Sequence, residues 1–219
     1  MDRISLSIFV SLLYQESARM NIFNIIKKET VVPDELIKHY LEPPEKLQPI
    51  LQQVPSTGII LYQFILHYGI TKEAKYWAMD MMEVGFDTPG VVQLAGEDLN
   101  MNPFAYADLL DTIFRELDIK IEQEVAFCAY AICIADEVLR GERTAYNGFE
   151  LLQRAAIDTD NNQVFWTFYI WLDNADCTRY GDVGGGLRMD NIEEWMHQFF
   201  EKFAKANYKY SSIISSTPL

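Results

Sequence analysis

Val125-Ala-Phe-Cys-Ala-Tyr-Ala-Ile-Cys-Ile-Ala135 runs for eleven residues without a charged side chain. A helix that is apolar all round, yet too short to cross a bilayer, has to be buried inside a protein. Ile121, Val125, Cys128, Ile132, Ala135 and Leu139 continue its seam on either side, and Gly141 supplies a stop. The stretch therefore predicts a buried central helix near 121–140, and the neighbouring segments have to cover it.

Those neighbours carry one-sided apolar stripes at helical spacing. Ala74, Trp77, Ala78, Met81 and Met82 repeat at i, i+3, i+4, i+7, i+8, with Thr71 placed as N-cap and Gly85 just past the end. Tyr106, Leu109, Leu110, Ile113, Phe114 and Leu117 repeat the spacing after Asn102-Pro103, an N-cap followed by proline at the first helical position. Thr144 caps a further helix to about Ile157. Val164, Phe165, Phe168, Tyr169 and Leu172 mark another over 161–173, although their aromatic and β-branched character also suits a strand. Asp190 and Glu193 resemble a capping box before the stripe Ile192, Trp195, Met196, Phe199, Phe200, Phe203 and Ala204. Pro33, Pro43, Pro44, Pro49 and Pro55 limit the early helices to short ones. The expected fold is all-α, a compact multi-helix bundle of about eight or nine helices. The stripes of 71–84, 103–117 and 190–204 are expected to pack the central rod. Residues 1–70 form short proline-limited helices on the main body, 71–208 the bundle, and 209–219 a Ser-rich frayed tail.

The chain has 219 residues and a net charge of −14. Residues 71–140 hold 14 acidic and 5 basic side chains, so the excess sits in the middle of the chain. Such a balance argues against a basic groove for nucleic acid or an anionic membrane surface. Three cysteines make no disulfide framework. The apolar run Ile4–Leu13 lacks the basic start and small-residue cleavage site of a secretory leader, so it is read as a core element and the location as cytoplasmic.

Most chemical motifs fail at their discriminating positions. Glu193, His197 and Glu201 share a helix face, but the His-Glu-x-x-His pattern and a Cys/His ligand set are missing, so no metal is expected. Asp158-Thr-Asp-Asn-Asn162 begins like a calcium loop and then places Gln163 where Gly belongs and Tyr169 where Glu belongs. Gly181-Asp-Val-Gly-Gly-Gly186, flanked by Arg179 and Arg188, fits neither phosphate-binding nor dinucleotide-binding spacing, and no cofactor follows from it. Cys128 belongs to the core seam; Cys177 falls in a polar loop and is the expected accessible thiol. Asp136 ends the buried helix, with Arg140 or Arg143 as its expected salt-bridge partner.

Ile134-Ala135, Val138-Leu-Arg-Gly-Glu142, Tyr146-Asn-Gly148, the aromatic segment ending at Leu172-Asp173 and the closing amphipathic helix make residues 131–203 similar to a helical domain of uncharacterised bacterial proteins. That family has no assigned reaction, so the resemblance implies helix packing and assigns no catalytic residue.

Two functions follow as expectations. The first is a non-enzymatic bacterial interaction protein, in its sharpest form an immunity- or antitoxin-like inhibitor whose acidic surface meets a basic protein partner. Asp108, Asp111, Glu116, Asp118 and Glu122 would carry that contact, since an acidic field steers cationic partners. The alternative is an enzyme or small-ligand-binding protein with a pocket of Trp166, Tyr169, Trp171, Asp173 and Asp176.

Overall fold

A computed structural model describes residues 40–67, 72–98, 102–179 and 191–213, together with Val32 and Ile37. These residues form helices and no strands. In chain order they are α1 (Gln48–Gln53), α2 (Thr57–Ile65), α3 (Lys72–Glu83), α4 (Pro89–Gly96), α5 (Pro103–Glu116), α6 (Gln123–Leu139), α7 (Ala145–Asp158), α8 (Gln163–Arg179) and α9 (Ile192–Ala206). The all-α expectation holds, and the 161–173 segment is helical. The Ile4–Leu13 run, Thr71, the Gly181–Gly186 loop and Asp190 lie outside the described residues.

Helix ends follow local chemistry. Asn102 accepts a hydrogen bond from the Phe104 N–H at 3.0 Å, and Thr144 from the Asn147 N–H at 3.2 Å, as their side chains predict. Gly85 at φ 89° lets α3 close with Phe86 N–H to Met81 C=O and Gly85 N–H to Met82 C=O, the paired bonds of a glycine stop. Gly141 at φ 74° ends α6 in the same way. Asp160 and Asn161, both at positive φ, make the turn after α7 that interrupts the calcium-like pattern.

The chain divides into two compact units, one of residues 37–143 with 200–219, the other of 1–36 with 144–199. In the larger unit, every α6 residue from Val125 to Ala135 is buried except Tyr130, which is partly so. Among the described residues, α2, from the proline-rich part of the chain, packs extensively along α6. The expected cover was the three longer stripes, and α2 was not among them. The reason α2 comes so close is size: an ideal Cβ on Gly58 would lie 2.7 Å from the Ala129 carbonyl carbon and nearer still to its oxygen, so only glycine admits the α6 backbone at this distance. One turn on, the Tyr62 ring stacks on Tyr130 with centroids 4.2 Å apart and tilts against Phe127. Trp77 of α3 donates its indole N–H to Thr57 Oγ1 at 2.9 Å, and Phe114 of α5 meets Phe64 edge-on, so both stripes reach α2. Met82, counted in the α3 stripe, is instead on the surface.

In the smaller unit, Phe149, Phe168 and Phe199 meet edge to face around one point, with centroids 5.3 to 5.5 Å apart. Glu193 turns its carboxylate to the first turn of α7, accepting from the Ala145 N–H and, at 3.0 Å, from the Tyr146 N–H. A carboxylate at a helix N-terminus meets otherwise unpaired donors. The Asp190/Glu193 motif therefore places its glutamate on another helix. Among the described residues no helix is long and apolar enough to cross a membrane.

Replacing Gly58 with Ala tests the α2–α6 contact. Overpacking against a rigid backbone typically costs ~1–3 kcal/mol. A thermal melt should show Gly58→Ala several degrees below the wild-type chain, while Gly96→Ala, with open space at its Cβ position, stays close to it.

Candidate functional site

α5 separates its two faces cleanly. Tyr106, Leu109, Leu110, Ile113 and Phe114 are buried, whereas Asp108, Asp111, Arg115 and Glu116 are exposed. Asp118 and Glu122 follow in the exposed link to α6. All five acids predicted to bind a partner are therefore on the surface of the larger unit, and Asp108, Asp111 and Glu116 share one helix.

Their surroundings differ. Asp108 has no side-chain partner among the described residues. Asp111 pairs with Arg115 at 3.0 Å along the helix. Glu116 reaches sideways and accepts from the Gly90 N–H at 2.8 Å in the first turn of α4. Asp118 holds Lys46 at 2.5 Å, and hydrogen bonding to that ammonium keeps its carboxyl below the usual range. Glu122 lies 3.6 Å from Lys120. Exposed ion pairs are weak and screened by salt, so an incoming cation can exchange with them. Glu116 is the exception, because its bond to the α4 N-terminus has a structural task.

The alternative pocket comes together only in part. Trp166, Tyr169, Asp173 and Asp176 repeat at i, i+3, i+7, i+10 on one face of α8. Trp166 and Tyr169 are stacked at 5.2 Å, and Asp176 accepts from the Tyr146 hydroxyl at 2.6 Å. Trp171 is a correction: it turns to the opposite side of α8, is buried, and lies 4.1 Å from Trp195. Trp171 lies two positions after Tyr169, about 200° round the helix, which residue type alone concealed. Cys177 is likewise corrected. It belongs to α8, which extends to Arg179, and it is half-buried there.

A cleft of about 350 Å³, marked by no motif in the sequence, lies between the segment of Tyr40, Glu42 and Pro43 and the end of α9 with the turn after it, Lys205 to Tyr210. Lys209 spans it to Glu42 at 2.5 Å, and the Tyr210 hydroxyl donates to the Leu41 carbonyl. Its walls are about 160 residues apart in sequence, so spacing gives no signal. Cys128 and Cys133 are buried, and burial raises both thiols well above their ordinary range, leaving them unreactive as nucleophiles.

Asp136 differs most from its expected setting. Neither Arg140 nor Arg143 binds it directly. Arg143 pairs with Glu137 at 2.6 Å, and Arg140 with Glu142 at 2.7 Å. The buried Asp136 carboxylate instead accepts from Ser211 Oγ at 2.7 Å, from the Ser212 N–H at 2.6 Å and from Ser212 Oγ at 2.7 Å. Arg140 completes the network by donating to Ser212 Oγ at 3.1 Å. The serines read as the start of a frayed tail thus supply the donors a buried carboxylate requires.

Comparison with family models, with curated proteins and with solved structures finds no match for the chain.

Asp136→Asn keeps the shape and removes the charge from this clamp. Hydrogen bonds to charged groups contribute about 1.5–3 kcal/mol each, so the variant should lose at least one such increment. Limited trypsin digestion should cut after Lys209 several-fold faster than in the wild-type chain. Equal cutting rates would mean that the serines do not depend on the aspartate.

Proposed function

We propose that this chain is a non-catalytic interaction protein whose acidic surface takes up a basic protein partner, in its sharpest form as an immunity- or antitoxin-like inhibitor of a cationic toxin. The observation that carries the proposal is the outer face of α5. Its stripe from Tyr106 to Phe114 is used in the core, and its solvent side presents Asp108, Asp111 and Glu116 with Arg115 among them and Phe104 at the first turn. A field of one sign concentrated on one part of the surface raises the encounter rate with cations and disfavours anionic partners. Among the described residues, Asp108 has no side-chain partner, and Asp111, Asp118 and Glu122 are each held by an exposed, exchangeable cation. Binding therefore requires no rearrangement of the core.

The test is capture from lysate by wild-type chain and by Asp108→Lys/Asp111→Lys, at about 50 and 300 mM salt, with the captured proteins identified. Raising salt over this range shortens the screening length by more than half. The expected result is a basic protein retained by the wild-type chain at low salt, and reduced at least tenfold by the charge reversal and by salt. Retention that ignores both changes, or captured proteins with no cationic member, overturns the proposal.

A further inference from the structure

The outer flank of α3 carries a second feature that the acidic-surface reading does not use. Its inner stripe, Ala74, Trp77, Ala78 and Met81, is buried. Tyr76, Met79 and Met82, at i, i+3, i+6, remain 52%, 44% and 39% exposed. Steps of three residues rotate by about 60° in the same sense, so the three form one oblique strip along the helix. Single exposed apolar residues are ordinary, but a strip of two methionines and a tyrosine is a surface fitted for contact. Methionine is unbranched and polarizable and adapts to varied partner shapes.

Acids border the strip. Asp80 and Glu83 lie beside it on the same helix, and Glu73 and Asp87 stand at the two ends. Lys72 and Lys75 stand one turn before Tyr76 and Met79 on this flank, and the Lys75 ammonium is engaged by the Glu97 carbonyl at 2.7 Å, so four acids stand against two lysines. Partial burial, and then the neighbouring Glu83, raise the Asp80 carboxyl above its ordinary range.

Resting on the basic-partner reading above, we infer that the Tyr76–Met79–Met82 strip docks an amphipathic cationic helix of that partner. Leucine-type side chains would lie on the strip, and lysine or arginine would reach Asp80 and Glu83. An apolar ridge bounded by acids complements a helix with one apolar and one basic face. A second copy of this chain suits the strip poorly, because a twofold contact would set Asp80 and Glu83 of one copy against the same acids of the other. An anionic membrane surface is opposed by the same charges.

The probe is a fluorescein-labelled 18-residue peptide with Leu at i, i+3, i+4, i+7 and Lys elsewhere, compared with a scrambled peptide of the same composition. Anisotropy at low salt should show the patterned peptide binding at least tenfold more tightly than the scrambled one. Tyr76→Ser/Met79→Ser should remove that advantage while its thermal melt stays near that of the wild-type chain. Asp108→Lys/Asp111→Lys should weaken both peptides through the shared acidic field and leave the ratio between them within threefold of the wild-type ratio. Equal binding of both peptides, or loss of the advantage through the α5 variant alone, overturns the strip as the docking site and leaves the acidic-surface reading standing. No binding of either peptide also overturns the strip, and the acidic surface is then judged by the lysate capture alone. A dimer in sedimentation that Tyr76→Ser/Met79→Ser dissolves would make a second copy the occupant and overturn the inference.

Discussion

Gly58 meets the backbone of Ala129 with no side chain between them, and the larger unit is organised around that approach. α6 is apolar on nearly every side, so each side needs a neighbour. α2 comes close enough to cover one of them because its second residue has no Cβ to hold the helices apart. The ring stack of Tyr62 on Tyr130 and the edge contact of Phe64 with Phe114 then extend the contact outward. Fully burying side chains of this size is worth about 1.5–3 kcal/mol each. A helix that exposed them would forfeit that stabilisation several times over.

The same constraint arranges the surface. With the stripes of α3 and α5 committed inward, their charged residues face solvent, and most of those residues are acids. Glu116 and Asp136 show that acids are also used structurally, one on the α4 N-terminus and one holding the chain at Ser211 and Ser212. Once those two are set aside, a mostly acidic field remains along α5 and the link after it, where Lys46, Arg115 and Lys120 meet it through exposed pairs. On the reading proposed above, a cationic protein complements that field and the methionine strip on α3 is its apolar foothold.

Much of this was legible in the sequence. The eleven uncharged residues of α6, the caps at Asn102 and Thr144, and the glycine stops at 85 and 141 are local signals, and local physics decides them. The exposure of Asp108 and Asp111 followed from helical periodicity. What escaped was non-local. Nothing near Gly58 reveals that Ala129 lies against it, and nothing near Asp136 reveals that its partners are 75 residues away. Trp171 was grouped with Trp166 and Tyr169 by composition, whereas the helical angle puts it on the buried side. Met82 fitted the α3 stripe by spacing, but it lies at the stripe's margin, where packing rather than periodicity decides exposure.

Native-state hydrogen exchange across the larger unit tests most directly whether α6 is its enclosed rod. The amides of Val125–Ala135 should be the slowest to exchange, opening only with global unfolding, with those of α2 close behind. Exchange in that stretch as fast as at the ends of α3 and α5, under conditions where the chain stays folded, would contradict the account.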